Sequence, residues 1–281
     1  MIVDFETVTA PVNTPFFAYS IDGATFVRQL ITNKTITLPN TDEHFVWLVV
    51  DGMGEIDPAG SSKWAGTIGV YLKSITGGTV NGVNFRAKNI YIVGDSIVEG
   101  INVLGTGANA SVNSAVNGFA FKTARKLNSI PLLCGYGGTG VLIDSSFHKA
   151  IEAIEYNMNG VRVNSMKPDI VVIEYGANDG ASIISGGTHT EAEFKTEYKK
   201  LIEAINIKYG CPIVCLVPFG LWLKNIIIEC AADYNYCYSV DTTDWGVSTT
   251  DNTHPDVQGA TTAAEKLSAE MIKIFGKSYF V

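Results

Sequence analysis

Positive charge is scarce in this chain: 20 Lys and Arg stand against 28 Asp and Glu over 281 residues, a formal net charge of −8. No basic run exceeds the pair Lys199-Lys200. Gripping a phosphate backbone needs clustered cations, so nucleic acid is excluded as a partner class. Long apolar runs are missing too. Stretches such as Phe45 to Val50 and Ile226 to Ile228 fall far short of the roughly 20 residues that a membrane-crossing helix requires, and no membrane span is expected. Residues 1–16, MIVDFETVTAPVNTPF, have neither a basic start nor an apolar stretch of signal-peptide type. The compartment stays open: secreted or periplasmic if a leader has been removed, cytoplasmic otherwise. Cysteine is sparse and odd in number, at positions 134, 211, 215, 230 and 237, which is not the pattern of a disulfide-stapled module. Cys134 and Cys215 sit in apolar runs and read as small buried hydrophobes; a Cys230–Cys237 bridge is the less favoured reading of that pair. No His/Cys cluster has metal-ligand spacing, so neither a metal nor an organic cofactor is expected. The oligomeric state is not legible.

What is present is enough to fold: 46% of the residues are hydrophobic, so disorder is excluded and a large core is available. Up to about Lys88 the apolar period is near two. FFAYS, TFVRQL, KTITLP, HFVWLVV and TIGVYLKSI are separated by Asp22-Gly23, Pro39-Asn40, Gly52, Asp57-Pro58 and Gly77-Gly78. No three-turn amphipathic helix fits there, and an all-β sandwich is predicted, with Trp47 and Trp64 as core or face aromatics. From Asn89 short apolar runs alternate with helical patterns. The runs are 90–93, 130–134, 169–175, 212–218 and 236–240. The helical patterns span Val112 to Leu127, roughly Ser146 to Tyr156, Glu191 to Tyr209, Leu223 to Asn235 and Val257 to Phe275. Such alternation predicts a mostly parallel sheet with helices on both faces, and ligands in that architecture gather at the carboxyl ends of the strands.

Four polar clusters each follow an apolar run or precede a helix. Ser96, in VGDSIVEG, lies at a strand-to-helix corner. A serine hydroxyl needs a base to become a nucleophile, and such a corner exposes Oγ while aiming N–H groups at developing charge. The plainer reading is a helix cap with Asp95 as a turn residue. His254, in TDNTHPDVQGA, has Asp251 three residues earlier, a spacing that brings a carboxylate to Nδ1 and leaves Nε2 to accept a proton. The other histidines, at 44, 148 and 189, lack that arrangement. The glycine cluster CGYGGTG at 134–140 is neither a P-loop nor a Gly-x-Gly-x-x-Gly fingerprint, but glycine lets a main-chain N–H approach a ligand closely. Asn178, in IEYGANDG, adds a neutral donor of the kind an oxyanion hole uses.

Taken in order, these blocks resemble those of the SGNH hydrolases, the GDSL-like esterase and lipase superfamily. Gly94-Asp95-Ser96 matches its nucleophile block, Gly138 of CGYGGTG its oxyanion glycine, Gly176-Ala177-Asn178-Asp179 its Gly-x-Asn-Asp block, and Asp251-Asn252-Thr253-His254 its terminal Asp-x-x-His block. Gly135 or Gly137 replaces Gly138 if the loop is offset. The resemblance covers residues 89–281 and implies a three-layer α/β/α, flavodoxin-like domain. It also implies a catalytic triad of Ser96, His254 and Asp251, and an oxyanion hole of the Ser96 and Gly138 N–H groups with the Asn178 amide. More loosely, a β-sandwich or jelly-roll module ahead of such a domain resembles two-domain carbohydrate esterases that remove acetyl groups from polysaccharides. Some of those lack the triad acid; here Asp251 is present. The boundary is placed at 86 to 89, giving 1–88 as an accessory domain and 89–281 as the catalytic one, packed together because no long linker intervenes.

The expected reaction is hydrolysis of short acyl esters through an acyl-enzyme, on an acetylated saccharide or another small ester. Lid-like apolar insertions are absent and loops such as SIISGGTHTE at 182–191 are small and polar. Tyr136, Phe219, Trp222 and Trp245 lie near expected strand ends or the His loop and are candidate sugar contacts, ordinary packing being the alternative for each. A lysophospholipase or general short-chain esterase is the runner-up, and a noncatalytic carbohydrate-binding or structural protein the contrasting class.

Overall fold

The computed structural model describes residues 1–8, 12–56, 59–60, 63–83, 87–143, 148–158, 161–162 and 167–281. Near the N-terminus the alternating runs form two small antiparallel sheets. β1 (Ile2–Thr7) pairs with β5 (Val70–Thr76), and β2 (Phe16–Ile21) lies between β3 (Val27–Leu30) and β4 (Val46–Gly52). Because successive side chains point to opposite faces, one face of each sheet turns inward. Val3, Phe17, Ile31 and Ile36 are buried there, with Phe5, Tyr19, Leu48 and Val70 packed around them. The expected strand KTITLP shrinks to a single bridge between Ile2 and Thr35, its neighbours Lys34 and Ile36 pairing with the first residues of the chain. Trp64 is a core residue, whereas Trp47 lies under the Arg125 guanidinium, 4.4 Å from its ring centroid.

The second half carries β6 (Asn89–Gly94), α1 (Ser96–Glu99), α2 (Phe119–Lys126), β7 (Ile130–Gly135), a small hairpin of β8 (Tyr156–Met158) and β9 (Val161–Arg162), β10 (Ile170–Glu174), α3 (Ala177–Ile184), α4 (Glu191–Tyr209), β11 (Ile213–Leu216), α5 (Lys224–Ala232), β12 (Cys237–Val240) and α6 (Val257–Phe275). Five strands make one parallel sheet in the order β12-β11-β10-β6-β7. Every residue of the central strand β10 is buried, as expected of a sheet covered on both sides. Tyr91, Val93, Val171, Ile173, Ile213 and Cys215 face α4 and α5, which contribute Phe194, Tyr198, Leu201, Ile205 and Ile227. Ile90, Ile92, Ile170, Val172, Val214 and Leu216 face α1, α2 and α6, meeting Val98, Phe119, Ala263 and Leu267.

Helices α4 and α6 occupy the ranges read from their periodicity. The first is opened by a Thr190–Glu193 capping box and the second by Asp256, whose side chain accepts from the Gly259 N–H. Others depart. The helix expected from Val112 begins only at Phe119, because the Asn113 and Ser114 side chains are drawn into bonds with Met53, Glu55 and Asp51, and the Ser114 N–H goes to Gly100 O. Of the helix expected from Ser146, the first residues lie outside the described set, and the rest is a 3₁₀ turn at Glu152–Ile154 leading into β8. α5 is shorter than Leu223 to Asn235, and α3 was not anticipated. Arg86, at the proposed boundary, and the Asp57-Pro58 turn also lie outside the described residues. At the start of β6, Asp169 accepts from the Asn89 N–H at 2.9 Å and pairs with Lys88 at 3.0 Å. All five cysteines are buried and unpaired, which removes the Cys230–Cys237 bridge.

The N-terminal sheets pack directly on the α/β part. Asp51, at the end of β4, has a fully buried side chain that accepts from Arg28 Nε at 2.6 Å, Ser114 Oγ at 2.9 Å and the Val116 N–H at 2.9 Å. Arg28 Nη2 also donates to the carbonyls of Ala110 and Asn113. Phe26 meets Phe121 edge-on at 5.3 Å. A cavity of about 670 Å³ opens between β4, β5 and β7, lined in part by Trp47, Tyr71, Lys63, Glu99 and Tyr136; Ser96 and His254 do not line it.

Candidate active site

Strand β6 ends at Gly94, where a side chain has no room: a Cβ would sit 2.4 Å from Val98 Cγ2 and 2.5 Å from Glu174 O. This close approach lets the chain turn at once into α1, whose first residue is Ser96. Asp95 caps the turn, Oδ1 accepting from the Ile97 N–H at 2.9 Å and Oδ2 from Asn178 Nδ2 at 3.0 Å. Burial pushes the Asp95 carboxyl up to about 7, the Asp179 charge adding to it and the Ile97 and Asn178 donors opposing it.

Ser96, His254 and Asp251 come together across the sheet. Ser96 Oγ lies 2.8 Å from His254 Nε2, and His254 Nδ1 lies 2.7 Å from Asp251 Oδ2. A carboxylate can only accept, so Nδ1 carries the proton and donates to Asp251, leaving Nε2 to accept from the serine hydroxyl. The spacing works because 251–254 is a tight turn: Asp251 Oδ1 accepts from the Thr253 and His254 N–H groups at 3.2 and 2.8 Å, and Asn252 sits at φ +66°. Asp251 Oδ2 also accepts from Asn102 Nδ2 at 2.7 Å. Burial opposes ionisation of Asp251, but the His254 N–H, the Asn102 amide and the imidazole outweigh it and hold the carboxyl well below its usual range.

The glycine loop follows β7. Gly135 belongs to the strand, paired with Gly94, and the Gly137 N–H donates to Glu99 Oε2 at 3.0 Å. Gly138 sits at φ +75°, a conformation that suits glycine, and its N–H has no hydrogen-bond acceptor among the described residues. The loop borders Ser96: a Cβ on Gly137 would lie 3.8 Å from Ser96 Cβ. Asn178, at the start of α3, donates through Nδ2 to Asp95 Oδ2 at 3.0 Å and to Thr139 O at 2.8 Å, so both its amide hydrogens are engaged.

Several residues of this centre carried no assigned role in the sequence reading. Asp179, the last residue of Gly-Ala-Asn-Asp, accepts from the Val141, Leu142 and Ile143 N–H groups and so fixes the far end of the glycine loop. Its place in the block was the available signal. Glu174 is fully buried one strand away, and neither carboxyl oxygen has a partner among the described residues. Burial, with Asp95 nearby, pushes it well above the usual carboxylate range. Asn102 offered no sequence signal at all. Of the candidate sugar contacts, Tyr136, Phe219 and Trp222 are half-buried and Trp245 is buried. Tyr136 packs edge-on to Trp64 at 5.5 Å, Phe219 meets Phe119 at 5.1 Å and Trp245 at 6.1 Å, and Trp222 covers Gly180 of α3. Among the described residues no group of three or more His, Cys, Asp or Glu converges as a metal site requires, and no helix is long and apolar enough to cross a membrane.

Comparisons with known proteins bear on the fold and the family. An acetyl xylan esterase (Est2A) from the rumen bacterium Butyrivibrio proteoclasticus superposes with a TM-score of 0.77 at 18% identity, covering 98% of this chain and 87% of that one. A family two carbohydrate esterase from Clostridium thermocellum, in complex with cellohexaose, gives 0.72 at 21% identity, covering 98% and 89%. A family two carbohydrate esterase from Cellvibrio japonicus gives 0.75 at 15% identity, covering 100% and 86%. At such identities the shared property is the fold. No curated protein matches the sequence. The GDSL-like lipase/acylhydrolase family model, however, matches residues 90–236, more than half of the chain. The chain therefore belongs to the GDSL-like lipase/acylhydrolase family, and it is a carboxylic ester hydrolase.

Proposed function

We propose that this enzyme removes acetyl groups from carbohydrate through a Ser96–His254–Asp251 triad. The observation that carries the mechanism is the continuous hydrogen-bonded line from Ser96 Oγ through both imidazole nitrogens to Asp251, at 2.8 and 2.7 Å. In the first step Ser96 Oγ attacks the ester carbonyl carbon while its proton passes to His254 Nε2, and Asp251 stabilises the imidazolium. The carbonyl oxygen takes the negative charge. We assign the N–H groups of Ser96 and Gly138 and the Asn178 amide as its donors, the amide rotating off Asp95 and Thr139 to reach the oxyanion. Collapse breaks the bond to the sugar oxygen, which takes the proton from His254 Nε2 and departs as a hydroxyl. Water then repeats the sequence on the acyl-Ser96 ester, releasing acetate and restoring the serine.

The substrate assignment rests on the neighbours' chemistry: one is an acetyl xylan esterase, and another a carbohydrate esterase holding cellohexaose. Their folds cover nearly all of this chain, the N-terminal sheets included. Residues 1–88 are accordingly assigned as an accessory β-domain beside the catalytic domain 89–281, and Trp222, half-buried between β11 and α5 and packed against Gly180 of α3, as the first candidate for sugar contact. The test is acetate release from acetylated xylan, mannan and simple acetylated sugars, beside p-nitrophenyl esters of rising chain length. Acetylated saccharide should be the preferred substrate, and Ser96→Ala should abolish turnover by several orders of magnitude without unfolding the protein. Near-normal turnover by folded S96A removes the triad; preference for long acyl chains removes the substrate class.

A further inference from the structure

Asn102 lies six residues beyond the nucleophile, in the turn-rich segment between α1 and α2. It is 8% exposed and sits in the left-handed region at φ +56°. All its hydrogen-bonding groups are spoken for. Its N–H donates to Asn113 Oδ1 at 3.1 Å, Oδ1 accepts from the Ala108 N–H at 2.7 Å, its carbonyl accepts from Thr250 Oγ1 at 2.9 Å, and Nδ2 donates to Asp251 Oδ2 at 2.7 Å. Two of these bonds reach the loop that carries Asp251 and His254. The other two tie Asn102 to its own segment, and Asn113 extends that tie by donating to Met53 O and Glu55 Oε1, both at 3.1 Å, in the N-terminal part of the chain.

We infer that Asn102 is a positioning residue for the triad acid, holding the oxygen of Asp251 that receives the imidazole; this rests on the triad reading above. The chemistry requires such a holder. Asp251 stands on an exposed turn, with Asn252 and Thr253 open to solvent, and among the described residues its Oδ1 is held only by N–H groups of the same turn. Those bonds move with the loop. Asn102 is the donor that reaches Asp251 from outside it, and it binds the same Oδ2 that His254 Nδ1 binds. Pinning this oxygen fixes the carboxylate plane, and with it the direction in which Nε2 faces Ser96. An amide suits the position because it donates without adding charge beside the imidazolium, and asparagine tolerates a left-handed φ.

The test is a double-mutant cycle on p-nitrophenyl acetate hydrolysis with Asn102→Gly, which keeps the left-handed backbone accessible, and Asp251→Ala. N102G should lower kcat by roughly tenfold or more with KM within about twofold, as expected when only transition-state alignment is lost. In the D251A background the same change should be silent within about twofold, since nothing remains for the amide to hold. Equal losses in both backgrounds would make Asn102 a merely structural residue and overturn the inference, as would full activity of N102G. If D251A itself costs nothing, the triad reading fails instead, and the two failures are thereby told apart. Should N102G melt below the assay temperature, Asn102→Asp replaces it in the wild-type background. That side chain keeps the acceptor for Ala108 but faces Asp251 without a hydrogen to give. A kcat loss of the same order at unchanged KM is expected, and undiminished kcat overturns the inference.

Discussion

Replacing Arg28 by methionine probes what joins the N-terminal sheets to the α/β half. Methionine keeps the apolar stem over the Phe16 ring, where the guanidinium carbon now sits 3.6 Å from the centroid, and removes the charged fork. Asp51, whose side chain is fully buried, then retains the Ser114 hydroxyl and the Val116 N–H but no countercharge. The Ala110 and Asn113 carbonyls each lose a donor as well. Removing one partner of a buried ion pair costs about 3–5 kcal/mol, and the two surviving neutral donors place this case at the lower end, about 3 kcal/mol. For a chain of this size each kcal/mol moves the midpoint by about 2–4 °C, so R28M should melt about 6–12 °C lower. Thermal unfolding followed by far-UV circular dichroism reads the shift, and a urea titration with a lower midpoint at unchanged slope checks that the denatured state is the same. Adding Asp51→Asn should recover part of the loss, because the stranded charge goes with it. A fall below about 2 °C, or a double variant no better than R28M, would refute the view that an ion pair holds this junction.

Asn178→Ala should lower kcat by roughly 10²–10³ with a smaller change in KM; a large rise in KM at constant kcat would make the amide a ground-state contact instead. Glu174→Gln should stabilise the protein increasingly as pH rises. The folded pKa of Glu174 is raised by burial, so above the unfolded carboxylate range the folded state binds a proton that the unfolded state has released, and wild-type stability falls with pH until the folded pKa is passed. Denaturation midpoints at pH 5 and pH 8 should therefore diverge between the two proteins; a constant difference would show that Glu174 titrates normally.

How much of this was readable in the residues depends on the range of the interaction. α4 and α6 were legible to their ends because a stripe of apolar residues and local capping residues define them. The segment from Val112 to Gly118 was not, since its side chains bond to Asp51, Met53 and Glu55, about 60 positions earlier. A helical period says nothing about a partner that distant. The same division runs through the candidate site. Ser96, Asn178 and the Asp251–His254 pair stand in short blocks that could be picked out, and the structure brings them to one end of the parallel sheet. Asn102 reaches Asp251 across 149 positions and leaves no local pattern to find. Glu174 was read as one more residue of a strand, because burial without a partner is a property of three dimensions.

The unpaired sulfurs have a practical consequence. Cys134 lies on the edge strand β7, Cys215 on β11, Cys237 on the opposite edge strand β12, Cys230 on α5, and Cys211 just ahead of β11. Burial pushes the Cys134 and Cys211 thiols up to about 11, and it is the thiolate that attacks an alkylating or disulfide reagent. Burial shields all five thiols from such reagents in the folded molecule, whereas each opening event exposes thiols at known places in the fold. Pulse labelling followed by peptide mapping would date the exposure of either edge, of β11 and of the helical layer beside it, turning five ordinary core residues into a clock for how the molecule comes apart.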